Sequence, residues 1–211
     1  MIFTIGNSKG GVGKTTIALQ LAIEAAYDGR RVLLVDGDRQ GTALAALTAR
    51  GDRQPPVACA QYVEGATLRT QVQAQEPSYD LVVIDAGGRD SSALRAALLL
   101  SDLVVIPFQP RSFDVWGLDD MSALLDEARA YADVRAVAML NAADPRGQDN
   151  AEATAAVADY PGIDYLDAPL GRRKAFASAS GQGMGVCEWR PRDEKASAEA
   201  ERLYDAIMQL V

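Results

Sequence analysis

Two lysines, Lys9 and Lys14, stand five residues apart in the stretch "GNSKGGVGKTT", residues 6–16. Gly10, Gly11, Val12 and Gly13 lie between them, and Thr15 and Thr16 follow. Glycines at this density let successive backbone N–H groups turn inward around an anion, and a helix opening behind them adds its positive end. That is the chemistry of a phosphate-binding loop. Lys14 would reach the β- and γ-phosphates of a nucleotide, and the Thr15 hydroxyl would bind magnesium. The strict loop pattern asks for glycine where Ser8 stands, so it fails by one residue while its physical logic survives. A dinucleotide-binding loop would need another glycine in place of Thr16, which excludes that reading. Lys9 has no obvious part in cradling phosphate. Within one subunit it reads as a further phosphate contact or as a solvated charge.

Magnesium keeps several waters and takes few protein ligands, so its carboxylates are sought at strand ends. "LLVDGDRQG" ends an apolar run at Asp36, with Asp38 two residues on, and "LVVIDAGG" ends another at Asp85. Asp36 and Asp85 read as holders of metal-bound waters. Asp38, projecting past the strand end, could orient or deprotonate an attacking water. Any one of the three alone could be a solvated cap; together, beside a phosphate loop, they form a candidate site. Asn141 follows another apolar run, where it could meet a nucleotide base or simply form a turn.

The composition narrows the chemistry further. None of the 211 residues is histidine, which excludes Ser/His and Cys/His nucleophile mechanisms and every His-ligated metal. Cys59 and Cys187 are too few and too far apart for a disulfide framework or a zinc site, and read as idle thiols. The net charge of −8 speaks against a surface that attracts DNA all over, while leaving room for a local basic patch. No basic lead or long apolar region opens the chain, and the run "ALRAALLL" near residues 93–100 falls far short of a membrane span. A soluble cytoplasmic protein is expected.

Elements that could position these residues are legible as short apolar runs: Ile2–Ile5, Val32–Val35, Leu81–Ile84, Leu103–Ile106 and Val134–Leu140. They run without alternation, the pattern of parallel strands covered on both faces. Helical stretches lie between and after them. Thr15–Asp28 places Ile17, Leu21 and Ala25 on one face before Gly29; Leu118–Tyr131 and Ala196–Leu210 have similar stripes. The expected fold is α/β, a doubly wound and mainly parallel sheet with helices on both faces, in one domain over residues 1–211. The polar, turn-rich stretch 142–162 is expected to be a surface excursion.

Lys9-Gly10-Gly11-Val12-Gly13-Lys14-Thr15, then Asp36-Gly37-Asp38-Arg39-Gln40-Gly41, then a strand ending Val-Val-Ile-Asp85 resemble the ParA/MinD group of deviant Walker A P-loop ATPases. "SDLVVIPFQPRSFDVWGL" (101–118) and the segment from Arg173 to Leu203 are similar to later parts of small ParA proteins that lack an N-terminal DNA-binding domain. The resemblance implies ATP and magnesium as cofactors and a homodimer that exists with ATP bound. It implies that Lys9 reaches across that dimer to the partner's nucleotide, and that Asn141 meets adenine. Arg39 replaces the family's proline, and Asp85-Ala86-Gly87-Gly88 replaces its Asp-Thr-Pro-Pro. Gly87 and Gly88 could still present N–H groups to a γ-phosphate.

The resemblance further implies an ATPase that holds non-specific DNA and is released by a ParB-like or cargo-adaptor partner. Residues 172–202 carry seven basic and five acidic side chains, with Arg172, Arg173 and Lys174 the densest cluster and DNA-binding candidates; a solvated basic turn is the alternative. A membrane-binding C-terminal helix is not expected, because Glu199, Glu201 and Asp205 oppose Lys195 and Arg202 there. A switch acting on a protein or small molecule is the alternative to DNA.

Overall fold

The computed structural model describes residues 1–88, 91–110, 116–144 and 148–211, without the side chains of Trp116 and Gln148. Residues 111–115 of the 101–118 segment and 145–147 of the polar stretch lie outside the described residues.

Seven strands form one sheet: β1 (Ile2–Ile5), β2 (Val32–Asp36), β3 (Ala58–Gln61), β4 (Leu81–Asp85), β5 (Leu103–Phe108), β6 (Arg135–Leu140) and β7 (Asp164–Tyr165), in the order β3-β2-β4-β1-β5-β6-β7. All their pairings are parallel. The five expected strands are the inner ones. Their side chains are almost all buried, as strands covered on both faces require. The outer strands β3 and β7 went unpredicted. "ACAQ" is half-buried and only partly apolar, and β7 is two residues long.

The helices are α1 (Lys14–Tyr27), α2 (Thr42–Arg50), α3 (Gly65–Gln75), α4 (Ser92–Leu100), α5 (Trp116–Arg129), α6 (Gln148–Ala155), α7 (Lys174–Ser180) and α8 (Glu194–Met208). α1 has more than the single apolar face expected of it. Ten of its side chains are buried, because α2, α7 and α8 pack around it as well as the sheet. Stretch 142–162 is more than a surface excursion, since it holds α6, whose Ala153 is buried, and Val157 just beyond.

Chain direction places the site. From β1 the chain moves outward on one side to β2 and β3, returns to β4, then continues on the other side through β5 and β6. The carboxyl ends of β1 and its neighbours therefore flank a topological switch point, where such sheets bind ligands.

Candidate nucleotide-binding site

β1 delivers the loop and α1 receives it. Asn7 is fully buried, donates from Nδ2 to the Pro107 carbonyl at 2.8 Å, and accepts the Lys9 N–H at Oδ1 at 2.9 Å. One side chain thus fixes the loop's departure from the sheet to the end of β5. Ser8 hydrogen-bonds Asp120 of α5 at 2.8 Å. The stem of Lys9 passes over Gly117, where a β-carbon would lie 2.7 Å from Lys9 Cγ. Further along, Gly11 and Gly13 take left-handed φ values of 78° and 96°. Gly13 caps α1 with no side-chain acceptor, which leaves the first helical N–H groups for an anion.

Lys14 is buried and its ammonium donates to the Lys9 carbonyl at 2.7 Å. Burial lowers its pKa, against the raising influence of Asp85 and Asp38. Asp85 is buried too. Desolvation pushes its carboxyl up to about 7, with the negative charges of Asp36 and Asp38 adding, while the Thr15 hydroxyl and the Lys14 charge oppose. Its Oδ2 has no hydrogen-bond partner. A buried carboxylate oxygen without a donor is costly, and it fits a cation or a cation's water.

Asp36 and Asp85 are register partners across β2 and β4. Asp36 is first of all a cap: its carboxylate accepts from the N–H of Asp38 at 3.0 Å and of Leu44 at 2.9 Å. Burial nonetheless raises its pKa, against those backbone bonds. Asp38 stands over the loop, close to Gly87, where a β-carbon would meet its Cγ at 3.5 Å. Gly88 lies beside the Lys14 ammonium. Arg39 turns outward to Glu64 at 2.8 Å.

A cavity of about 740 Å³ gathers the pieces, lined by Lys9, Gly10, Gly11, Gly13, Lys14, Thr15, Thr16, Asp38 and Gly88, with Ser8 and Gln40. Val12 is absent from that lining because its side chain is buried in the core. Asn141 stands behind the loop and donates to the Val12 carbonyl at 2.7 Å.

The basic cluster lies apart from the cavity lining and is largely paired. Arg172 meets Asp144 at 3.1 Å, and Arg173 grips Glu199 of α8 through two bonds of 2.9 and 2.6 Å. Lys174 is exposed at the start of α7, as are Lys195 and Arg202 on α8. Sequence reasoning missed Asn7, Gly117 and Gln61, a β3 residue that donates to the Asp38 carbonyl. The only signal for Asn7 was its place two residues beyond the end of a strand.

A parallel sheet whose central strand runs through a glycine loop into an uncapped helix, with a lysine, a threonine and a buried aspartate around it, defines a nucleotide-binding protein of the phosphate-loop class. The chain matches the family described as CobQ/CobB/MinD/ParA nucleotide binding domain over residues 3–186, and it belongs to that family. It is 31% identical over 211 residues to the Gloeobacter kilaueensis maintenance of carboxysome distribution protein A, covering 99% of this chain and 92% of that one. It is 33% identical over 153 residues to the Thermus thermophilus chromosome-partitioning ATPase Soj, covering 60% of this chain and 61% of that one. Its fold is that of Mycobacterium smegmatis cobyrinic acid a,c-diamide synthase with bound ATP analog and magnesium, with a TM-score of 0.80, 19% identity, and coverage of 99% and 94%.

Proposed function

We propose that this chain is an ATP-driven switch. It binds ATP and magnesium, closes as a homodimer, holds non-specific DNA, and lets go when a ParB-like or cargo-adaptor partner stimulates hydrolysis. The observation that carries the reading is the gathering of Lys9, Lys14, Thr15 and Asp38 around one cavity, with the partnerless Asp85 Oδ2 behind it. ATP and magnesium agree with the bound groups of the structural neighbour. Partitioning and cargo distribution agree with the names of the two relatives.

Each residue has a task the geometry suits. Backbone N–H groups of residues 10–16 would cradle the phosphates. The Lys14 ammonium, desolvated and held by a carbonyl, would exchange that carbonyl for phosphate oxygens. Thr15 and Asp85, with Asp36 beyond, would hold magnesium, which supplies positive charge against the phosphate oxygens. Among the described residues no three acidic or thiol groups cluster as a metal cage, in keeping with an ion held mostly by water and phosphate. Asp38 would orient the water that attacks the γ-phosphorus as the bond to ADP breaks. Lys9, arriving from the second subunit, would neutralise charge growing on the transferred group.

On this reading DNA contact falls to the exposed Lys174, Lys195 and Arg202, with Arg172 two residues before Lys174 in the chain. Arg173 acts as a pin between α7 and α8 through Glu199. Each phosphate contact is weak singly; a dimer doubles the set and ties DNA affinity to ATP. A second reading, a switch that holds a protein, draws on the net charge of −8 and on the two arginines already paired with carboxylates. No helix among the described residues is long and apolar enough to cross a membrane.

The test is retention of a random-sequence duplex without nucleotide, with ADP and with ATP, for wild type and for Lys174→Ala/Lys195→Ala/Arg202→Ala. Retention with ATP alone, weakened by salt and lost in the variant, is expected. ATP-dependent dimerisation with no DNA retention under any nucleotide would replace DNA by a protein cargo.

A further inference from the structure

Asp38 lies two residues beyond the end of β2, in a turn bounded by Gly37 and Gly41. A turn of this kind has wide conformational freedom, yet a residue that aims a water must hold its carboxylate within a narrow range of positions. Local backbone supplies part of the restraint. Asp38 N–H donates to Asp36 Oδ1 at 3.0 Å, Gln40 N–H donates to Asp38 Oδ1 at 2.9 Å, Gly37 N–H donates to the Asp85 carbonyl at 2.9 Å, and Gly41 N–H donates to the Asp38 carbonyl at 3.1 Å.

One restraint comes from another strand. Gln61 closes β3, in register with Asp36, and its Nε2 donates to the Asp38 carbonyl at 2.8 Å. The contact is tight on the other side as well. Gly41 has φ +65°, and a β-carbon on it would lie 3.1 Å from Gln61 Nε2. The amide therefore sits wedged between the two ends of the turn. Tyr62 N–H, the next residue, donates to the Asp36 carbonyl at 2.9 Å and holds the end of β3 to β2.

We infer that Gln61 is a positioning residue for hydrolysis: its side-chain amide fixes the Asp38 peptide, and through it the direction of the Asp38 carboxylate. The inference rests on the reading of Asp38 as the residue that orients water. It gives the half-buried edge strand β3 a part in the chemistry, although none of its residues lines the cavity.

The test compares single-turnover and steady-state ATP hydrolysis in wild type, Gln61→Met, Gln61→Glu, Asp38→Ala and Asp38→Ala/Gln61→Met. Methionine keeps the volume and removes the donor; glutamate keeps the shape and turns an acceptor toward the carbonyl. One lost hydrogen bond at the aiming step gives about a tenfold fall in kcat for Gln61→Met. Gln61→Glu falls at least as far, and both keep KM for ATP within about twofold, because the phosphate loop is untouched. In the Asp38→Ala background the Gln61 change removes nothing further, since there is no carboxylate left to aim. A wild-type kcat in Gln61→Met, or an equal loss with and without Asp38, overturns the inference. A normal kcat in Asp38→Ala overturns the reading beneath it, and the inference falls with it.

Discussion

The side-chain nitrogen of Asn141 lies 2.7 Å from the Val12 carbonyl oxygen, and this hydrogen bond ties the end of β6 to the middle of the phosphate loop. Gly13 makes the approach possible, because a β-carbon there would lie 2.1 Å from the same nitrogen. A loop rich in glycine is held in shape by its neighbours rather than by its own backbone preferences. Asn141 braces it at the Val12 carbonyl, and Asn7, within the stretch itself, braces it at the Lys9 N–H.

Asn141→Ala removes one brace. We expect the Kd for ATP to rise up to about tenfold, the worth of one well-made hydrogen bond in a preorganised site. The Kd for GTP is expected to rise by the same factor, since bracing acts on phosphates that both share. Isothermal titration with the two nucleotides checks this. A loss confined to ATP would instead assign Asn141 to adenine.

Asp85→Asn sets stability against function. The wild-type carboxylate is buried with one oxygen lacking a donor, which weakens the nucleotide-free fold. The neutral amide still accepts from Thr15 and relieves the charge. Thermal unfolding without nucleotide should shift upward, while the further stabilisation from magnesium added with ATP should be lost.

Arg50 and Glu188 form a buried bidentate pair at 2.7 and 3.0 Å, and the guanidinium also donates to the carbonyls of Gly183 and Pro55. This fastens the end of α2 to the turn before α8, while Asp36 caps the start of α2. Glu188→Ala would strand a buried guanidinium whose Nε already lacks an acceptor. It should cost roughly 3–5 kcal/mol, a drop in Tm on the order of 10 °C for a chain of this size. Arg50→Met/Glu188→Leu together should recover most of the loss, as seen by calorimetry.

Glu24 supplies a pH dependence. Burial raises its pKa, the neighbouring charges of Glu201, Glu188 and Asp205 add to this, and the Cys187 thiol opposes by donating to it. A carboxyl more easily protonated in the folded chain than in the unfolded one favours the fold at low pH. That contribution disappears as pH rises from the ordinary carboxylate range through the raised value. Glu24→Gln should therefore unfold a few degrees higher than wild type at pH 8, and the difference should shrink as pH is lowered toward 5. A constant difference across that range would rule out charge as its cause.

The inner strands were legible because apolar residues dominate them and a carboxylate marks where β2 and β4 end. Lys14, Thr15 and Asp38 could be grouped as one candidate site because glycines and charges stand at those spacings, and the fold gathers the three around one cavity. β3 was not legible: "ACAQ" is short and only half-buried at every position, so no long apolar run announces it, and Gln61 went unseen with it. Asn7 and Gly117 act through what they touch across the fold, Pro107 and Lys9, and no spacing along the chain encodes such contacts. Arg173 was grouped with Arg172 and Lys174 by the density of basic residues there; its bond to Glu199, 26 residues away, has no signal along the chain.

In the proposed switch, Lys9 joins two nucleotide-loaded chains. Sedimentation velocity with magnesium and ATP, on Asp38→Ala and on Asp38→Ala/Lys9→Ala at equal nucleotide occupancy, tests it most directly. Asp38→Ala should be a dimer that falls to monomer with ADP, and Asp38→Ala/Lys9→Ala a monomer. A dimer that persists without Lys9, or one indifferent to nucleotide, would contradict it.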